Sequence, residues 1–296
     1  MEMDMHKLTS LIVLGLVAAL ASCHPGGKPP TSPPGDTSND AFVELARGPL
    51  HLDVPAGVEV KTEKNFTGFR SGDVLFSRRS DSRTYFVQDR RYGAMQPGGT
   101  FAGSDAELID RAREMLSALG LPASEVERAS VLEEKTRVGH RDPVSNQMVL
   151  EPTQPGNRSV LVTRRIAGVP VFSSRALMEI TKTGSAGFVE LHWPDIPAGA
   201  VEEAHRLQTK VKSDWRPPGL EGARVESVEA GIIHSPAIGF VMDVYPAIRV
   251  VYASANGKLG RKPVAYLDAA GKPVPVPRQF EQELPAPKET ARPRPR

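Results

Sequence analysis

Polar and apolar positions along this chain change period several times. From Phe42 to Phe101 the short runs FVEL, LHLDV, GVEVKTE, DVLFS and TYFVQD alternate between the two kinds and are broken by turn residues. A period of two with brief turns predicts antiparallel strands with one wet face. The loop GAMQPGGTF closes this section. A helical period follows, with Ile109, Ala112, Leu116 and Leu119 behind Ser104-Asp105-Ala106-Glu107. That tetrapeptide has the form of a capping box, in which hydroxyl and carboxylate each bind the other residue's backbone N–H, and Gly120 suits the position just past a helix end. The spacing predicts a helix over 105–119 whose apolar stripe needs a sheet or another helix to cover it.

Strand-like texture returns in VERASVLEEKT, NRSVLVTRRIAGVPVFSSRALMEIT and AGFVELHW, separated by HRDPVSNQ, EPTQPGN and KTGSAG. Val201, Ala204, Leu207 and Val211, behind Pro197, predict a second helix over 198–212 that Pro217-Pro218-Gly219 stops. VESVEAGII, PAIRVVYA and KPVAYLDAAGKPVPV read as further strands, with Ala255 to Gly260 as a hairpin tip. Helices arriving singly between runs of strands predict an α+β fold: antiparallel sheets with helices packed on one face, rather than a βαβ series.

The N-terminus has a different character. Residues 8–22, LTSLIVLGLVAALAS, form an apolar run behind the polar head MEMDMHK. The run has the length of a signal-peptide core and falls short of the roughly 20 apolar residues of a membrane span. A buried core helix is the plainer alternative, opposed by the PGGKPPTSPPGDTSND that follows, which cannot continue a fold. Glu2 and Asp4 break the expected positive head, and a start at Met5 would remove both. Leu20-Ala21-Ser22-Cys23 resembles the lipobox of bacterial lipoprotein precursors, and Cys23 is the single cysteine of the chain. The resemblance implies cleavage between Ser22 and Cys23 and lipid attachment at the Cys23 thiol. Two or more acyl chains hold a protein at a bilayer durably where one does so only marginally. The expected localisation is the bacterial cell envelope, outer membrane or periplasmic face rather than cytoplasm, with the membrane itself as a partner. A buried free cysteine, or one lost with a removed signal, is the competing reading.

The segment Arg164-Arg165-Ile166-Ala167-Gly168-Val169-Pro170-Val171-Phe172, followed by ALMEIT, KTGSAG and FVELHW, resembles the thermolysin-type propeptide (FTP) pattern. The helix at 198–212, Pro246 to Tyr252 and Lys262 to Gly271 are similar to a PepSY module. Together the resemblances span about Ser104 to Val276 and imply cystatin-like or PepSY-like units. The domain plan is a signal peptide at 1–22, a Pro/Gly-rich flexible linker at 23–40, an N-terminal β region at 41–103, an FTP-like unit at 104–196, a PepSY-like unit at 197–280 and a disordered Pro/Arg-rich tail at 281–296. The families imply inhibitory, chaperone-like or regulatory binding to an envelope protease or other envelope protein. With no protease domain in this sequence, the expected role is not that of a propeptide acting in cis. Gly168, Val169, Pro170, Val171 and Phe172 are the candidate binding edge, because Pro170 confines that spot to an edge or bulge and an open edge can accept a peptide strand.

Charge and motifs narrow the function further. The 37 basic and 35 acidic residues nearly cancel, 40% of positions are hydrophobic, and nothing points to a nucleic-acid partner. One cysteine excludes an intramolecular disulfide and a cysteine metal cluster. The seven histidines show no H-E-x-x-H pair, and no G-x-S-x-G, G-x-G-x-x-G or Walker loop occurs. No catalytic residue, cofactor or metal is expected. A dispersed hydrolase site, in which His140 or His234 meets a carboxylate and a serine, is the competing class, and a structural envelope component is a third. Glu202 and His205 read as a solvated helix face. Arg78, Arg79, Arg83, Arg90 and Arg91 read as a salt-bridged surface with Asp73, Asp81 and Asp89, the alternative being a site for lipid phosphates or an acidic partner. Trp193 and Trp215 read as core anchors of the second helix rather than a ligand platform.

Overall fold

A computed structural model of the chain describes residues 38–92, 101–136, 139–220, 222–234, 243–254 and 263–276. The predicted signal peptide, Ser22, Cys23, nearly all of the linker, the hairpin tip at 255–260 and the tail lie outside these residues.

The first element corrects the sequence reading. FVEL lies in a helix, α1 (Asn39–Arg47), capped by the Ser38 side chain, which accepts from Ala41 N–H, with Asp40 in its first turn and Arg47 in its last. Phe42, Val43 and Ala46 are its buried residues. Caps and charges of this kind complement the exposed amides and the helix dipole. A four-strand meander follows: β1 (Lys61–Glu63), β2 (Phe66–Ser71), β3 (Val74–Arg79) and β4 (Thr84–Asp89). Its inner face meets α1 through Phe76, stacked on Phe42 at 4.3 Å, and through Phe69, edge-on to Phe76 at 5.9 Å.

Helix α2 (Asp105–Ala118) forms with the predicted capping box: Glu107 N donates to Ser104 Oγ at 3.3 Å and Ser104 N to Glu107 Oε2 at 2.7 Å. Its buried residues are Leu108, Ala112, Met115 and Leu116, so the stripe is turned slightly from the predicted one, and Ile109 is only partly buried. Then come β5 (Val126–Thr136), a short excursion β6 (Gly139–Arg141) and β7 (Met148–Leu150), β8 (Gln154–Ile166), β9 (Val169–Ile180) and β10 (Ala186–His192). Helix α3 (Ala198–Ser213) leads to β11 (Ala223–His234), β12 (Val244–Ser254) and β13 (Val264–Leu267). Ala204 and Leu207 of α3 are buried, with Val201 and Val211 packed beside them, as the spacing predicted.

The fold class differs from the expectation. Among the described residues strand dominates, and the α+β arrangement of antiparallel sheets with helices packed on one face gives way to a mixed sheet of eleven strands beside the two-stranded β6–β7 pair. The main order is β1-β2-β3-β4-β10-β9-β11-β12-β13, with β8 and β5 continuing from β9. Two joins produce it. β4 pairs antiparallel with β10, Val87 opposite Val189, so the N-terminal meander closes an edge that the next unit would otherwise expose. β11 then meets β9 in parallel at Ile232 and Val171, while its other side pairs antiparallel with β12. The largest apolar cluster accordingly draws on α1, the meander, α2, β8, β9, β10 and Trp193 together. Each fully buried Phe or Leu in it contributes roughly 1.5–3 kcal/mol. No helix among the described residues is long and apolar enough to cross a membrane.

Candidate functional site

Strand β9 exchanges neighbours partway along its length, and polar side chains gather at that exchange. Residues from Arg175 onward pair with β8 on one side and β10 on the other, whereas Val171 faces Arg164 of β8 and Ile232 of β11. Between these stretches the register with β8 jumps from Thr163↔Arg175 to Arg164↔Val171, which leaves Phe172, Ser173 and Ser174 without partners on β8. A bulge bends a strand and frees backbone groups that must find other partners. Here two serines help. Ser173 Oγ accepts from His234 N at 2.8 Å, and Ser174 Oγ lies 3.0 Å from His234 Nε2. Arg164 Nη1 donates to the same Ser174 Oγ at 3.2 Å and to the Pro194 carbonyl at 2.6 Å.

The group extends in two directions. Arg164 binds Glu125 at 2.7 Å, Trp193 Nε1 donates to the same carboxylate oxygen at 2.9 Å, and the guanidinium lies over the Trp193 ring at 5.0 Å. On the other side the His192 ring lies 4.8 Å from that of His234, and its Nδ1 is 2.7 Å from Thr84 Oγ1. His192 Nε2 is buried and has no hydrogen-bond partner among the described residues. Burial pulls the His192 pKa down to about 4, the Glu190 carboxylate opposing the fall and Arg175 adding to it. The ring is therefore neutral near pH 7. Burial also lowers the Arg164 pKa, against the upward pull of Glu125.

This seam is the nearest approach to the dispersed hydrolase site that the sequence allowed. His234 does meet serines, but it is 0% exposed and Ser174 is 2% exposed, so a substrate cannot touch the pair in this conformation. The carboxylate of the group, Glu125, is held by Arg164 and Trp193. His140 meets a carboxylate at the surface instead, Nδ1 lying 3.6 Å from Glu151. The arrangement is suited to holding strands together: it ties β8, β9, β10, β11 and β4 at the point where the sheet changes course. Sequence inspection passed over Arg164, Ser173, Ser174 and His192 as site residues. The available signal was polar residues interrupting apolar runs, in VFSSRA and GIIH.

The candidate binding edge lies beside this seam. Ala167 and Gly168 form the β8–β9 turn with φ of 47° and 84°, the left-handed pair expected of a two-residue hairpin. Val169 and Val171 are buried, and Pro170 is packed so close to β11 that a Cβ on Gly231 would fall 2.4 Å from its carbonyl oxygen. Pairing with β8 on one side and β11 on the other occupies both edges of β9 here, and strand addition at this point would have to displace β11. Phe172 turns to the other face, under the Arg249 guanidinium at 4.5 Å and beside Tyr266 at 5.7 Å.

The remaining candidates take ordinary places. Arg79 pairs with Asp81, Arg83 with Asp195, and Arg91 with Asp89 and Asp53. Glu202 and His205 are exposed on α3, and both tryptophans are buried. Among the described residues, the most exposed apolar side chains gather on the excursion between β5 and β8. Val144 at its tip is 95% exposed, and Met148, Val149 and Leu150 along β7 are 62%, 41% and 51% exposed. The tip is nonetheless built: Asp142 Oδ1 accepts from Val144 N, Ser145 N and Ser145 Oγ, and Arg141 Nη1 donates to Asn146 Oδ1 at 3.1 Å. Those bonds hold the Asp142 carboxyl below its usual range.

No known protein family matches the chain, and no curated protein is similar to it. Among solved structures, an uncharacterized protein from Eubacterium rectale is similar over 81% of this chain and 83% of its own, with 10% sequence identity and a TM-score of 0.41.

Proposed function

We propose that the chain is a lipid-anchored bacterial envelope protein that binds another protein and performs no catalysis, using the β6–β7 arm as its docking element. The carrying observation is the exposure of Val144, Met148, Val149 and Leu150 on a hairpin whose turn is fixed by Asp142. A two-stranded hairpin alone is marginal in water, and apolar side chains gathered on one cost free energy unless a partner covers them. The fitting partner is an envelope protein with an apolar recess, taking Val144 at the apex and Met148 and Leu150 along one side. The FTP-like and PepSY-like order of segments points toward protein binding as well. The lipobox supports the anchor: Cys23 is the lipid site and residues 24–37 the tether.

A photo-crosslinking residue at position 144 of the full chain, in envelope fractions, tests the arm. One defined adduct is expected, and Met148→Glu with Leu150→Glu should abolish it while leaving the thermal midpoint unchanged. An adduct pattern indifferent to those charges refutes the arm as the docking element. Cys23→Ser should move the protein out of the membrane fraction. If the variant stays membrane-bound at mature size, the anchor lies elsewhere.

A further inference from the structure

Strand β5 is the long edge of the sheet. It pairs with β8 along one side and, among the described residues, carries no strand on the other. Its 11 residues contain no proline, and Leu132 near its centre is 43% exposed. A long unblocked edge is a template for another strand, and protein chains usually blunt such edges. The charges on β5 do something else. Arg158, Arg164, Arg165 and Arg175 on the neighbouring strands each reach a carboxylate of this chain. Arg128 and Glu134 of β5 have no ion-pair partner among the described residues, and each is exposed.

Ala129 and Val131 pack against the core, so the alternation of the strand puts Arg128, Ser130, Leu132 and Glu134 together on the opposite face. We propose that β5 pairs antiparallel with β5 of a second copy of this chain about a two-fold axis at Val131, continuing the sheet through both molecules. In that register Arg128 of each copy faces Glu134 of the other, Ser130 faces Leu132, and Val131 meets its own equivalent. The two Leu132 side chains become diagonal neighbours across the axis, within reach of each other. Opposite residues in an antiparallel pair share a face, so the next allowed registers are two residues away. One puts Arg128 opposite Leu132 and Glu134 opposite Val126. The other puts Arg128 opposite Thr136 and Glu134 opposite Ser130. Among these three, the register centred on Val131 alone joins the unsatisfied charges.

A further feature fits. Burial raises the Glu179 carboxyl on β9 above its usual range and the Glu134 charge adds to the rise, while Asn157 Nδ2 donates to it at 3.2 Å. Arg128 of the second copy would bring a positive charge to Glu134. Exposed ion pairs contribute little affinity and act mainly on specificity and register. The main-chain hydrogen bonds of the new strand pair supply the attraction, and edge pairing alone falls short of the ~1,600 Å² of a standard interface, so the dimer is concentration-dependent. This inference does not depend on the docking role of the β6–β7 arm.

Sedimentation equilibrium of the full chain in a non-denaturing detergent, over a concentration series, tests it. The wild type should approach twice the protomer mass. Arg128→Glu and Glu134→Arg should each weaken association by about tenfold or more, and the double exchange should restore it, as expected of directly coupled charges. Far-UV circular dichroism controls for folding of each variant. A wild type that stays monomeric overturns the proposal. Dimerisation that neither reversal weakens, or a double exchange without rescue, also overturns it, because association would then use another surface.

Discussion

The polar seam and the β6–β7 arm depart from ordinary burial in opposite directions. In the seam, Arg164, Ser173, Ser174 and His234 lie at 2% exposure or less, where polar groups are costly unless bonded. In the arm, Val144, Met148, Val149 and Leu150 are all above 40% exposed, where apolar groups give up the stabilisation that burial provides. The seam cost is offset inside the molecule by Glu125, the Pro194 carbonyl and the two serines of the β9 bulge. The arm has no such compensation among the described residues. The comparison separates polarity that serves the fold from exposed apolar surface available for a partner.

The largest expected effect breaks the seam. Arg164→Met leaves Glu125 and Ser174 without their guanidinium and should cost about 3 kcal/mol or more of unfolding free energy, read by urea denaturation. Loss below about 1 kcal/mol would mean that the seam is not holding the sheet. A pH dependence comes next in size. The folded His192 pKa, about 4, lies below the ordinary histidine value of 6.5, so the unfolded chain binds the proton more readily. Stability from this residue is complete above pH 6.5 and declines as pH falls toward 4, by up to about 3 kcal/mol. His192→Asn should flatten that part of the stability curve, and a wild-type curve already flat between pH 6.5 and 4 would remove His192 as a titrating element. The smallest effect concerns the turn that aims β9 into the seam. Ala167 has φ of 47°, a region glycine adopts freely, so Ala167→Gly should raise stability by about 0.5 kcal/mol, seen as a small rise in thermal midpoint.

Local elements were largely readable from the sequence. The Ser104 capping box, Gly120 and the strand VERASVLEEKT fall where their patterns put them, and so does α3. α1 was misread because Phe42, Val43 and Ala46 fit a helical stripe while FVEL also shows alternation. Ser38 and Asp40 carried the information that decides between the two. The seam was not legible, since a buried Arg and a surface Arg look alike in a sequence, and only β8, β9 and β11 brought side by side distinguish them.

The sequence by itself determined the periods, the caps and the tight turns, because each depends on residues a few positions apart. Tertiary structure decided that β4 closes the edge of β10, that β11 runs parallel to β9 at Val171, and that β5 carries a strand on one side alone among the described residues. Those outcomes depend on which backbone edges find one another across large sequence separations, and the same alternating pattern is compatible with several such pairings. The choice among them rests on the packing of the shared core and on the few polar groups, such as Ser173 and Ser174, that one pairing satisfies.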